Sequence, residues 1–524
     1  MKRIHISIIL ALCMISSACA QKNEKKEILV RNTTEIHSDT VAIVREKAEK
    51  GDSEAQFTLA NWYLKGYNSV KKDNAEAVRW LAKAMKQEHV GAMREMAVCY
   101  QFGRGLSADS LAAVKLYKAA LSKGDSTIIP MHHHWLKNNK NAFSAMLLRD
   151  IYAEGIGIKT DKGKADDYFR QAAEIGDKNV QFDFAQYAYN TKKYDLSALF
   201  FKKAADKGHS VAAYLYGLQL FQGKGTVQDK QKGIEYLKKA AEGESYMADY
   251  ELGRIALEGD GVENNAEEAV KHLRKAAPRY KKAAWLLGNC YKDGTGVGKD
   301  FYFATQWISE SLGDDKESRQ RVEKMLDDDN DGAFTQYLRG LYRYNIDKNY
   351  GQAITFFEKV EKAKVADGFT MHAVCMANKG YEKRNEKKAV KLLTKAAASN
   401  PVAQYYLSSM YASGTGVKKD NAKAVELLTK AADSGVGYAQ CALADRLMEG
   451  DGVIKDISKA ARLYLKAEAQ HRLTNNAARN LAKCYQFKVG VLPDLKDAEK
   501  RVKALNGYKE TSRLNMLLAK ISFR

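Results

Sequence analysis

NPVAQYYLSSMYASGTGVKKDNAKAVELLTKAADSG, residues 400–435, is the stretch whose pattern accounts for most of the chain. Asn400 carries a side-chain oxygen able to accept from the free N–H groups of a helix start, and Pro401 has the fixed φ that suits the first helical position. Ala403, Leu407, Ser408 and Tyr411 follow at helical spacing, so one helix is predicted over about 401–413. Gly414-Thr415-Gly416-Val417 then offers two positions where positive φ is unstrained; the helix ends, the chain turns, and Val417 returns to the core. A second helix carries Ala424, Val425, Leu427, Leu428, Ala431 and Ala432 on one apolar stripe and stops at Gly435. Neither helix hides its stripe alone. The unit is an antiparallel pair that buries itself against copies of itself.

The copies can be counted from the first alanine of the pair, which recurs as Ala55, Ala92, Ala212, Ala248, Ala283, Ala403, Ala439 and Ala477; the shortest steps are 37, 36, 35, 36 and 38 residues. A leucine-like residue sits four positions on (Leu59, Leu252, Leu287, Leu407 among them), followed at once by a small one (Ala60, Gly253, Gly288, Ser408), which lets two helices approach closely. The turn recurs as Gly103/Gly105, Gly155/Gly157, Gly223/Gly225, Gly259/Gly261, Gly294/Gly296 and Gly450/Gly452. The second helix repeats as AVKHLRKAA (269–277), AVKLLTKAA (389–397) and AVELLTKAA (424–432).

With its A-x-x-x-L-G-x-x-Y, G-x-G-V and K-A-x-x-x-x-x-K-A-A elements, the chain resembles the Sel-one-like repeat (SLR) branch of the tetratricopeptide superfamily over nearly all of 40–505. The resemblance implies an all-α solenoid of about twelve antiparallel helix pairs in a right-handed superhelix over 40–508, held by nearest-neighbour contacts. Units near 122–142, 180–208 and 313–398 are degenerate, and Arg339 stands where the unit at 333–361 should have a small residue. Only 4 prolines occur, and Pro278, Pro401 and Pro493 fall between helices, as a nearly all-helical chain requires.

The N-terminus reads as an export signal over 1–20. Lys2 and Arg3 precede an apolar run, Ile4–Ile15, too short to span a bilayer, and Ser16-Ser17-Ala18-Cys19-Ala20 follows. Ala18-Cys19-Ala20 fits an ordinary cleavage site; Ser-Ala-Cys19 also resembles a bacterial lipobox, with serine in place of the usual leucine, which makes Cys19 a lipidation candidate. Residues 21–39 would then be a polar tether, and the expected location is the periplasm or outer membrane. At the other end 509–524 reads as a helix capping the last apolar face. Lys and Arg exceed Asp and Glu by 21. Export argues against nucleic acid, and many lysines sit at helix C-termini, where the macrodipole favours them; the remainder favours an acidic partner or an anionic envelope polymer. Of seven cysteines, Cys99, Cys290, Cys375, Cys441 and Cys484 lie one per repeat, without the two per repeat that a disulfide in each pair would need, so free buried thiols are expected.

No G-x-S-x-G, H-E-x-x-H or phosphate loop occurs, and no enzymatic function or cofactor is expected. His132-His133-His134 would point about 100° apart on a helix, which does not converge on one metal; a loop or packing insertion is the plainer reading. Asp327, Asp329, Asp331 and Gly332 match the first half of a calcium loop, but the twelfth position is Leu338, so the run is either a poor calcium site or a cap for the next helix. A functional surface is read from the first helices. The residue two before the repeat leucine gives Phe57, Arg94, Met146, Tyr214, Tyr250, Trp285, Gln336, Tyr405, Cys441 and Arg479, of which five of ten are aromatic. Four and seven residues on, Asn61, Asp150, Arg254, Asn289, Lys292, Asp445 and Lys483 follow. Such a mixture fits a groove for a protein or peptide, and SLR chains generally mediate protein assembly; a glycan- or peptidoglycan-binding module and an unrecognised hydrolase are the alternatives, and packing between repeats is the structural one.

Overall fold

The computed structural model describes residues 40–487 apart from 68–69, 313–315 and 471, together with 504–505. The proposed signal segment with Cys19, the tether and the C-terminal capping helix lie outside the described residues. Among the described residues every regular element is helical, and no helix is long and apolar enough to cross a membrane. Eleven antiparallel pairs run from Ser53–Lys65 with Asn74–Lys86 to Gly437–Glu449 with Ile457–Ala469, and Asn475–Phe487 follows them. Two unpaired helices interrupt the series, Ile128–Asn139 and Lys316–Asp328. The segment at 122–142 is thus mainly a helix.

Helices Pro401–Ser413 and Asn421–Asp433 fall where the opening stretch places them. Asn400 accepts from the Ala403 N–H at 2.8 Å, and Gly414 ends the helix at φ 73° with its N–H on the Met410 carbonyl. The second glycine of the turn has an additional reason to be glycine. A Cβ on Gly105 would lie 2.1 Å from the Asn74 carbonyl, one on Gly296 2.1 Å from that of Ala266, and one on Gly416 2.6 Å from that of Glu386. Each turn is therefore pressed against the start of the preceding pair's second helix, and the motif that ends one helix also sets the distance between repeats. Within pairs, a Cβ on Gly288 would meet Ile308 at 2.7 Å, which accounts for the small residue after the repeat leucine. Second helices begin with recurrent Asp or Asn caps; Asp420 and Asp456 each accept from a backbone N–H three residues on.

The unit at 333–361 explains Arg339. The close approach falls one residue later, where a Cβ on Gly340 would sit 2.5 Å from Phe357, so the repeat register is shifted by one and the groove-column position is Tyr337, with Gln336 buried at 2% exposure. The contacts divide the chain into two compact units, to Lys207 and from Gly208. The first is built around Leu59, Leu81, Met96, Tyr117 and Ile151, the second around Leu273, Leu287, Phe301, Phe357 and Tyr464.

Candidate functional site

Seven of the ten column residues are half-buried, Gln336 and Cys441 being buried and Arg479 exposed, and several are engaged by the next repeat. In the first unit Phe57 stacks on His89 at 4.6 Å, Asn61 donates to the Phe57 carbonyl, and Arg94 bonds Asp125 at 3.0 Å and Thr127 at 2.8 Å. In the second unit Tyr250 meets Tyr280 edge-on at 4.9 Å, and burial together with the neighbouring Glu251 pushes the Tyr214 hydroxyl up to about 12. Arg254 holds Glu251 at 2.9 Å and also Glu258. The Arg321 guanidinium lies over Trp285 at 4.9 Å, Asn289 donates to the Trp285 carbonyl, and Lys292 pairs with Asp293 at 2.6 Å. Arg479 and Lys483 are exposed. The inter-repeat packing weighed against a groove is therefore present, while Tyr214, Tyr250 and Trp285 keep part of their surface open.

Tyr405 belongs to a different arrangement. The second helix Phe301–Ser311, followed by the extra helix Lys316–Asp328, lies against the first helices of the repeats that come after it. Phe301 packs on Phe334 at 5.2 Å and on Tyr337 at 5.6 Å, while Tyr302 and Phe303 pack on the cluster containing Val402 and Leu428. Its N-terminus is tied down from 66 residues away, where the Phe301 N–H donates to Asp367 at 3.0 Å; Asp367 also accepts from Asn400 at 3.1 Å. Between this helix and its hosts is a cavity of about 360 Å³. Tyr302, Thr305 and Gln306 form one wall; Tyr337, Leu341 and Tyr344 come from Ala333–Asn345, Met371 from Ala366–Ala377, and Val402, Tyr405 and Tyr406 from Pro401–Ser413. Tyr438 and Arg472 complete it.

The cavity is aromatic and hydroxyl-bearing, with one cation. Among the described residues Gln306, 2% exposed, has no partner for its Oε1, Arg472, 8% exposed, has none for its Nε–H, and the Tyr302 hydroxyl has none. Burial raises the Tyr302, Tyr337 and Tyr406 hydroxyls well above the ordinary phenol range, so all three are neutral donors. Asp300, buried beside this wall and sensing the charge of Asp367, is pushed up to about 8, and burial raises Asp367 too. Of these residues the sequence pattern singled out Tyr405 alone. Tyr337 and Met371 precede Tyr405 at steps of 34 residues, one column once the register at Arg339 is set by Gly340, whereas Tyr302, Thr305 and Gln306 on the opposite wall do not recur in it; the signal in the chain is the break in the repeat at 312–332.

The pattern of pairs and turns has a direct counterpart. The Sel1 repeat family model matches eleven times, at 53–89, 90–125, 150–177, 191–209, 210–245, 247–277, 281–311, 333–359, 373–400, 401–436 and 437–471. The chain belongs to the Sel1 repeat family. Among curated proteins it is similar to chitin synthase regulatory factor 3 of Schizosaccharomyces pombe, 27% identical over 223 residues, which is 40% of this chain and 22% of that protein. Among solved structures it is similar to c5321, a protective antigen of uropathogenic Escherichia coli, at 24% identity over 91% of this chain and 92% of that one with a TM-score of 0.27. A Sel1 repeat protein from Oxalobacter formigenes gives 20% identity, coverage of 77% and 90%, and a TM-score of 0.32. Sel1 repeats are in general scaffolds for protein–protein interaction.

In this Sel1-repeat chain the histidine run has separate partners. His132 is fully buried and bonded to Ser144 at 3.0 Å, and burial lowers its pKa to about 3, so it is a neutral core residue; His133 faces the Tyr168 hydroxyl at 2.9 Å and His134 faces Asn138. Asp327, Asp329 and Asp331 are exposed; Gly332 is the N-cap of the following helix, and the Asp329 carboxylate lies against it, where a Cβ would fall 1.9 Å from its oxygen. Among the described residues no group of three or more His, Cys, Asp or Glu side chains is placed to hold a metal. The five cysteines of the repeats are buried thiols outside any disulfide, and burial raises Cys99 and Cys290 to about 11 and Cys375 to about 12.

Proposed function

We propose that this Sel1-repeat protein is a non-enzymatic adaptor of the cell envelope, exported through its N-terminal segment and anchored by lipid at Cys19, that holds a protein partner on the first-helix face of the pairs between Ser210 and Ser311. One observation carries this. Tyr214, Tyr250 and Trp285 form three consecutive column positions that remain partly open, with Arg254 and Lys292 beside them, whereas the corresponding face from Phe334 onward is occupied by helix Phe301–Ser311. Rigid aromatics with flanking cations give contact area at low entropy cost, and with 21 excess positive charges they favour an acidic partner.

The test is a crosslinked pull-down from solubilised envelope with the mature chain, with Tyr214→Ala/Tyr250→Ala/Trp285→Ala, and with Arg254→Glu/Lys292→Glu as a charge variant that leaves the rings in place. Circular dichroism controls for folding. The reading expects one defined partner, captured by the parent in a salt-sensitive way and lost in both variants. Capture that survives both variants places binding elsewhere, and recovery of glycan alone replaces the adaptor by an envelope-polymer binder.

A further inference from the structure

We infer that the cavity between helix Phe301–Ser311 and the following first helices is a binding site for a single sugar unit, with a preference for one that carries a carboxylate. The inference is independent of the protein-binding reading, since it concerns other residues and a different class of ligand.

Three features of the cavity lead to it. Its volume of about 360 Å³ is at the lower end of small-molecule sites and suits one six-membered ring with its substituents. The walls supply flat tyrosine rings from Tyr302, Tyr405 and Tyr438, against which the C–H face of a sugar can lie. The unpartnered polar atoms are of three kinds at once: an acceptor at Gln306 Oε1, a donor at Arg472 Nε–H, and a hydroxyl able to do either at Tyr302. Two of these belong to side chains more than nine-tenths buried, where an unmade hydrogen bond is costly. A ring bearing several hydroxyls answers all three kinds, because each hydroxyl both donates and accepts. A purely apolar ligand answers none. Among the described residues Arg472 is the one cation lining the cavity, which favours an anionic substituent at that end, and Gly437 makes room for it: a Cβ there would fall 2.4 Å from the Arg472 Cβ.

The fold also provides the rigidity that such a site needs. Asp367, 1% exposed, and Asn400, 1% exposed, fasten the start of helix Phe301–Ser311 to the hosts, so the wall that carries Tyr302 and Gln306 is held on the opposite wall.

The experiment is isothermal titration of the full mature chain with glucuronate, with glucose, and with the dipeptide alanyl-tyrosine. Glucuronate is expected to bind saturably and glucose about tenfold more weakly, the difference a charge-assisted hydrogen bond supplies. Tyr302→Phe keeps the ring and removes the hydroxyl, and is expected to weaken both sugars about fivefold. Arg472→Gln is expected to erase the preference for glucuronate while leaving glucose nearly unchanged. Saturation-transfer NMR on the parent, which needs no variant, is expected to show the sugar ring protons in contact with tyrosine rings. Absence of binding by either sugar at millimolar concentration overturns the proposal, as does sugar binding indifferent to Tyr302→Phe. Binding of the dipeptide in place of the sugars makes the cavity a peptide-terminus pocket and also overturns it.

Discussion

Gly105 and Gly298 both lie in turn regions, yet their substitution should have opposite consequences. Gly105 has φ 75° and its missing Cβ would overlap the Asn74 carbonyl, whereas Gly298 has open space and no positive φ. Gly105→Ala should cost about 2–4 kcal/mol, since the backbone strain and the displacement of a neighbouring repeat add, while Gly298→Ala should be neutral to within about 0.5 kcal/mol. Paired urea titrations decide this; equal midpoints would mean that the turn is free to move away from the preceding pair. Asp300 makes the stability of the fold pH-dependent. Its pKa is raised from 3.8 to about 8, so the folded chain binds that proton more tightly than the unfolded chain. The resulting stability is complete below about pH 4 and is lost as pH rises through about 8. Asn at this position keeps the bond from the Phe303 N–H and never ionises. Asp300→Asn should therefore gain on the parent by roughly 1–3 kcal/mol between about pH 5 and about pH 9, read from the difference in melting free energy at each pH. A parent and variant that stay parallel across that range would show that Asp300 is ionised throughout.

Among the paired helices, Phe301–Ser311 makes contacts that the repeat rules do not dictate. It pairs with Lys281–Asp293 as a second helix should, and it also serves as a wall for four later repeats. What fixes it there is Phe301, 2% exposed between Phe334 and Tyr337, together with the bond from its N–H to Asp367. Phe301→Ala removes a buried ring from a site where surrounding helices are anchored on both sides, so the cavity cannot easily collapse and about 3–5 kcal/mol should be lost. Asn400→Ala acts on the same junction differently. It removes the cap of Pro401–Ser413 and the donor to Asp367, and should cost about 2 kcal/mol, measurable in the same titration. If Asn400→Ala were no worse than an ordinary surface cap, the buried Asp367 would have to draw its stabilisation from backbone N–H groups, those of Phe301 and Tyr302 among them.

For the whole molecule, repeat architecture means that stability is spread over neighbours, and the two compact units carry separate cores. Hydrogen exchange should show this directly: Gly105→Ala should loosen amides within 40–207 and leave those from Gly208 onward protected, with the reverse pattern for Phe301→Ala. Uniform loosening in either variant would mean that the chain opens as one body. The pair, its Gly-x-Gly turn and its spacing were all legible from Asn400 to Gly435, because each depends on neighbours within about forty residues, and such local contacts leave a period in the chain. Even the half-buried state of Tyr250 and Trp285 follows from that period, although it did not tell open groove from packed interface. Around Arg339 the leucine pattern places the register one residue away from the close approach of Gly340 to Phe357, because Leu338 imitates the repeat leucine. The path of Phe301–Ser311, the Asp300–Asp367 pairing and the cavity with Gln306 and Arg472 were decided by tertiary structure alone. They join residues 66 and more apart through a single irregular junction, next to the place where the extra helix Lys316–Asp328 interrupts the series of pairs, and a contact made once leaves no periodicity to read.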